Sequence, residues 1–189
     1  MLTFSNHEEL SQDALLPFNE KIIYNRIHIN LNSCSWVLKR IRYRNKKTRL
    51  LWKIQDAQRN ASLIPLKKFN QDDIIIFSDL DEFPSETGIN EAIKLLNHSQ
   101  PNSKEVNACS LDQTFFYYNL HNAAPHEKFY GSVITTLKTF RKFLPHKFRS
   151  QKNDLAHIND GGWHFSYFMD EEKILKKINA IGDVENLSS

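Results

Sequence analysis

Apolar and polar positions alternate in registers that predict an α/β chain. Ile74-Ile75-Ile76-Phe77 is a β-branched run bounded by Asp72-Asp73 and by an acidic turn, which predicts a strand buried on both faces. Leu50 to Phe69 carries Leu51, Ile54, Ala57, Ala61 and Ile64 at helical spacing, with Pro65 disturbing its end. Ser85-Glu86-Thr87-Gly88 opens a second helix, whose body is Glu91 to Leu96 and whose end is Asn97-His98-Ser99. Strands are predicted at 21–29, at Val106–Leu111, at Gln113–Leu120 and at Ser132–Phe140. Residues 121–131 read as a polar loop. Arg141 to Ser150 reads as an irregular basic segment interrupted by Pro145. Gly161-Gly162 predicts a turn opening an aromatic strand through Phe168, and Asp170 to Ala180 a closing helix capped by Asp170. Neither a linker nor a repeat divides the chain, so residues 1–189 are expected to form one domain.

Composition narrows the class. Hydrophobic residues make up 40% and charged residues 25%, which excludes a disordered chain and predicts a globular core. The net charge of +3 tolerates an anionic ligand without arguing for nucleic acid. The basic cluster Lys39-Arg40-Ile41-Arg42-Tyr43-Arg44-Asn45-Lys46-Lys47 is read as a solvated face. Cys34 and Cys109 lack a CxxC partner and read as free core thiols of a reducing compartment. No apolar run approaches the roughly 20 residues of a membrane span. Met1-Leu2-Thr3-Phe4 has no basic n-region, so no signal peptide is expected.

The chemistry concentrates where the apolar run ends. Asp79, Asp81 and Glu82 follow Phe77-Ser78, and Pro84 stops the ladder. Ligands of open α/β sheets bind beyond the carboxyl ends of strands. Hard oxygens there suit a divalent cation, manganese or magnesium. His164, beyond the double glycine, offers an imidazole to the same ion. Trp163 and Tyr167 offer flat faces to a sugar ring. Arg59, in Gln58-Arg59-Asn60, suits a phosphate or a carboxylate.

Ile74-Ile75-Ile76-Phe77-Ser78-Asp79-Leu80-Asp81-Glu82-Phe83-Pro84, Gln58-Arg59-Asn60, Gly162-Trp163-His164-Phe165-Ser166-Tyr167 and Leu2-Thr3-Phe4-Ser5 together resemble glycosyltransferase family 17. That is the family of the β-1,4-mannosyl-glycoprotein N-acetylglucosaminyltransferase that makes bisecting GlcNAc. The resemblance runs over most of the chain, in the family's order. It implies a GT-A-like nucleotide-sugar fold with a mixed sheet, and inverting transfer of N-acetylglucosamine from UDP-GlcNAc to a glycan acceptor. It implies that Asp79, Asp81 and His164 hold the cation and that Arg59 and Trp163 join them in binding the donor. Asp112, Asp160 and Glu82 are the candidates for the base that inversion requires. Compared with the family, the chain is expected to lack an N-terminal strand–helix–strand unit, and the Ser-His ending after the closing helix is also missing. Animal members are Golgi membrane proteins, whereas this chain by itself is expected in the cytoplasm. Two other readings compete. Asp79 and Asp81 also resemble the first motif of haloacid-dehalogenase-type phosphatases, with Ile181-Gly182-Asp183 as a later acidic motif. Alternatively, the chain is an inactive sugar-nucleotide or carbohydrate-binding module.

Overall fold

The structure, a computed structural model, describes residues 46–98 and 106–180. The strand predicted at 21–29, Cys34 and Ile181-Gly182-Asp183 lie outside them, as does most of the basic cluster. The described residues are α/β. Helix α1 spans Lys46–Ala61 and is followed by a 3-10 turn at Pro65–Lys68. Strands β1 (Ile74–Phe77) and β2 (Glu82–Pro84) flank the acidic turn, and α2 is Glu86–His98. Then come β3 (Ala108–Tyr117), β4 (Ala123–Ala124) and β5 (Tyr130–Thr136). Short helices α3 (Leu137–Lys142) and α4 (Pro145–Gln151) lead to β6 (Ala156–Ser166) and α5 (Glu171–Ala180).

The sheet runs β1-β5-β3-β6-β2, with β4 beside β3. Only β3 and β6 pair in parallel; the other ladders are antiparallel. Alternate residues of a strand face opposite sides, so each strand feeds two cores. Cys109, Leu111, Ile134 and Ile74 pack with Ala92 and Leu96 of α2. Their neighbours Ala108, Val133 and Ile75 pack with Leu137, Phe140 and Phe148 of α3 and α4. Helices therefore cover both faces.

Several expectations are corrected here. The acidic strand is not central: β1 pairs only with β5 among the described residues, and Ile76 is 42% exposed. The strand predicted through Phe140 ends at Thr136. The Thr136 hydroxyl accepts from the Thr139 amide and caps α3. Arg141 to Ser150 is mostly helical rather than irregular: it holds the end of α3 and most of α4, broken only at Phe143-Leu144. Pro145 sits in the first turn of α4, where its missing N–H costs nothing. The strands expected on either side of Asp112 are one strand with a register shift there. Gly161 and Gly162 lie within β6 instead of opening it.

Cys109 is a free, fully buried thiol that donates to the Ile134 carbonyl at 3.8 Å. Burial pushes its pKa up to about 11. In the folded protein at pH 8 it is expected to escape alkylation by iodoacetamide, and to react on unfolding. Peptide mapping that found Cys109 labelled in native protein would contradict the packing.

Candidate functional site

The acidic tip is folded onto itself and then surrounded. Glu82 reaches back so that its Oε2 accepts from the Asp79 amide at 3.1 Å and from Ser132 Oγ at 3.3 Å. Ser132 Oγ is 2.6 Å from Ser78 Oγ, which also donates to the Glu82 carbonyl at 3.1 Å. The other oxygen, Oε1, accepts from Arg149 Nη1 at 2.5 Å. The Glu82 side chain is only 1% exposed, and hydrogen bonds to both of its oxygens offset the cost of burying it.

Arg149 comes from α4 and bridges two carboxylates. Its Nη2 is 3.0 Å from Asp79 Oδ2. Burial opposes its charge, but the charges of Glu82 and Asp79 outweigh this and hold its pKa above the usual value. Arg59 approaches the same Asp79 oxygen at 3.5 Å. It lies in the last turn of α1, where a cation suits the helix dipole. Asn60 fixes that end of α1, because its Oδ1 accepts from the His146 amide at the start of α4 at 3.2 Å. The Gln58-Arg59-Asn60 stretch thus joins α1 to both the acidic tip and α4.

Asp81 faces a different set. His164 Nε2 is 3.6 Å from Asp81 Oδ1, and Lys177 of α5 donates to Oδ2 at 3.0 Å. Burial pushes the Asp81 pKa up, yet the hydrogen bonds and charges of His164 and Lys177 prevail and hold it well below the usual carboxylate range. The meeting of His164 with the tip follows from register: Glu82 pairs with His164 across β2 and β6, and the Phe165 amide donates to the Asp81 carbonyl at 2.8 Å. The His164 ring is stacked on Phe129 with centroids 4.0 Å apart, and Phe115 meets it edge-on at 4.5 Å. Its Nδ1 is buried with no hydrogen-bond partner among the described residues.

Paired residues share a sheet face and successive residues alternate. Glu82, His164 and Phe115 therefore lie on one side, and Phe83, Trp163 and Thr114 on the other. Trp163, expected beside the donor, is 45% exposed on the face away from His164. The sheet separates it from the acidic tip. Asp112 and Asp160 also stand apart from the carboxylate cluster. They line a polar pocket of about 360 Å3 with Gln113, Thr114, Lys128 and Asn159. Asp112 is tied to Lys128 by an ion pair.

The expected cation set is only partly assembled. Asp81 and His164 are the right donor types side by side. Asp79 turns instead to two guanidiniums, and among the described residues no group of three His, Cys, Asp or Glu gathers to hold an ion. Among the described residues this arrangement does not fit a three-ligand cation site. The resemblance did not reveal Arg149, Lys152 or Lys177. Arg149 falls in the segment read as irregular and basic and Lys177 in the predicted closing helix, and only the tertiary fold brings these residues to the acidic tip.

No helix among the described residues is long and apolar enough to cross a membrane. Comparison with protein-family profiles, with curated proteins and with solved structures finds no match for this chain.

Proposed function

We propose that the chain is a glycosyltransferase of GT-A-like fold that binds a nucleoside diphosphate sugar at the acidic tip and transfers the sugar to a glycan acceptor with inversion. The resemblance points to UDP-N-acetylglucosamine as the donor. The observation that carries this reading is convergence: Arg59, Asp79–Glu82 and His164, drawn from three separated stretches of the resemblance, meet around one strand end. The mixed sheet with helices on both faces agrees with the fold the resemblance implies.

In the proposed reaction the acceptor oxygen attacks the anomeric carbon. The bond from that carbon to the diphosphate oxygen breaks, and the nucleoside diphosphate leaves with the electron pair. The acceptor proton passes to a carboxylate. Arg59 and Arg149 stand ready to offset the charge that grows on the leaving group. Glu82 is an unsuitable base, because Arg149, Ser132 and the Asp79 amide occupy its oxygens. Asp112 is held by Lys128, and exposed Asp160 is the less encumbered carboxylate at that pocket. Both line a pocket that includes none of the tip residues, so either can serve as base only for an acceptor that spans from that pocket to the tip. The double guanidinium contact to Asp79 also argues against Asp79 as a phosphatase nucleophile, since it draws charge from the attacking oxygen.

Calorimetric titration with UDP-GlcNAc, with and without manganese, tests the reading. Folded wild-type protein that bound the donor under neither condition would overturn it. Asp81→Asn is expected to weaken donor binding at least tenfold while the circular dichroism spectrum stays that of wild type. The same variant carries a pH signature. A carboxylate whose pKa is lowered on folding stabilises the protein above its unfolded value, about 4. That contribution is lost as the pH falls below about 4 toward the folded value. Wild type should therefore lose more stability than Asp81→Asn between about pH 4 and pH 2. Equal acid sensitivity would mean that the Asp81 contacts to His164 and Lys177 do not form in solution.

A further inference from the structure

One ammonium group near the acidic tip has no anion of its own. Lys152 follows α4, and its Nζ is buried without a hydrogen-bond partner among the described residues, 4.0 Å from the centre of the Phe129 ring. Phe129 is the same ring that stacks on His164. The charged groups acting on Lys152 are Arg149 from α4, Arg59 from α1, Glu82 from β2 and Asp79 from the turn before it. Three cations therefore stand against two carboxylates. Both carboxylates are already engaged: Asp79 by Arg59 and Arg149, Glu82 by Arg149, Ser132 and the Asp79 amide. An aromatic face attracts a cation, but it supplies no acceptor for the three ammonium protons.

We infer that Lys152, with Arg59 and Arg149, forms an oxyanion-binding site that receives the diphosphate of the ligand beside Phe129. The identity of the oxyanion as a donor diphosphate rests on the transferase reading; the site itself rests on the uncompensated Lys152 charge. A diphosphate brings the acceptors that Lys152 lacks, and it also accepts from the guanidiniums, which suit planar two-point contact with phosphate. The lysine stem rotates about single bonds, so the ammonium can exchange the Phe129 ring for a phosphate oxygen.

The free protein already records the missing anion. Burial first, and the Arg149 charge second, pull the Lys152 pKa down to about 8. A bound oxyanion favours the charged ammonium and restores the pKa upward, so binding above pH 8 takes up protons.

The test uses inorganic pyrophosphate in metal-free buffer, followed by calorimetry in two buffers of different ionisation enthalpy at pH 8.5. Wild type is expected to bind pyrophosphate and to take up more protons on binding than a variant with no ionisable lysine at this position. Lys152→Met, whose unbranched side chain still packs on Phe129, is expected to bind at least tenfold more weakly and to lose the extra uptake. Lys152→Arg, which stays charged, is expected to keep the affinity without the extra uptake. Circular dichroism and a urea transition verify that each variant is folded. Wild type that fails to bind pyrophosphate, or Lys152→Met that binds it as well as wild type, overturns the inference. A parallel titration with UDP-GlcNAc separates the two readings. Pyrophosphate bound through Lys152 with no UDP-GlcNAc binding leaves the oxyanion site standing and removes the transferase. UDP-GlcNAc bound equally by wild type and Lys152→Met leaves the transferase and removes Lys152 from its site.

Discussion

Arg149→Met is expected to destabilise the protein by about 3 kcal/mol, because it strands a buried carboxylate. Glu82 is almost wholly enclosed, and Arg149 is the only cation that bonds its Oε1 among the described residues. Removing the guanidinium also takes one of the two partners of Asp79. Glu82→Gln alone is expected to cost less, since the amide oxygen still accepts from the Asp79 amide or Ser132. The double variant Glu82→Gln/Arg149→Met is expected to recover more than about 1 kcal/mol relative to the sum of the single losses, because the stranded charge is gone. Urea denaturation of the four proteins measures this coupling. Strict additivity would mean that the ion pair does not hold the tip in shape.

The second large effect is expected at Gly162. Its φ is +131°, a region that side chains rarely adopt. An added Cβ would fall 2.1 Å from the Phe83 carbonyl oxygen and 2.7 Å from the Ser85 amide nitrogen. Both are backbone atoms of the strand paired with β6, or of the residue just after it, and neither can swing aside. Gly162→Ala is expected to cost about 4 kcal/mol or to prevent folding, a loss at the extreme of single substitutions. Gly131→Ala is the comparison. There the nearest obstacle is the Gln113 amide group, the end of a flexible side chain, so a loss of about 1–2 kcal/mol is expected. If thermal unfolding found the two variants equally stable, the close approach of β2 to β6 would be refuted.

The parts that were legible in the sequence are those carried by local pattern. The α2 periodicity, the strand before the acidic turn and the closing helix appear within a few residues of their expected positions, whereas α1 begins earlier, at Lys46, and ends at Ala61 rather than Phe69, with a separate 3-10 turn after it. The pairing of Asp81 with His164 on one side of the sheet appears as expected. What local pattern misjudged was context. A run of isoleucines reads as doubly buried whether it lies centrally or at the edge, and Ile76 is the residue that differs. Pro145 reads as a breaker unless it is known to begin a helix. Trp163 and His164 are adjacent in sequence, so a motif treats them as one unit, yet the pleat sends them to opposite faces. Arg149 and Lys152 give no signal of their own, because a basic residue in a polar helix is the same letter whether it meets water or a buried glutamate.

The pairing of β2 with β6 has a consequence for the order of assembly. β2 lies early in the described chain, and its partner strand is the last strand. Lys177 reaches Asp81 across 96 residues. Closing so long a loop costs entropy before any contact rewards it, and such contacts tend to form late. A nascent polypeptide still inside the ribosome beyond residue 155 therefore exposes Asp81 without its imidazole or its lysine. The His164 and Lys177 contacts to Asp81 arrive only when synthesis has passed α5, which ties the shaping of the acidic tip to the pairing of β2 with β6.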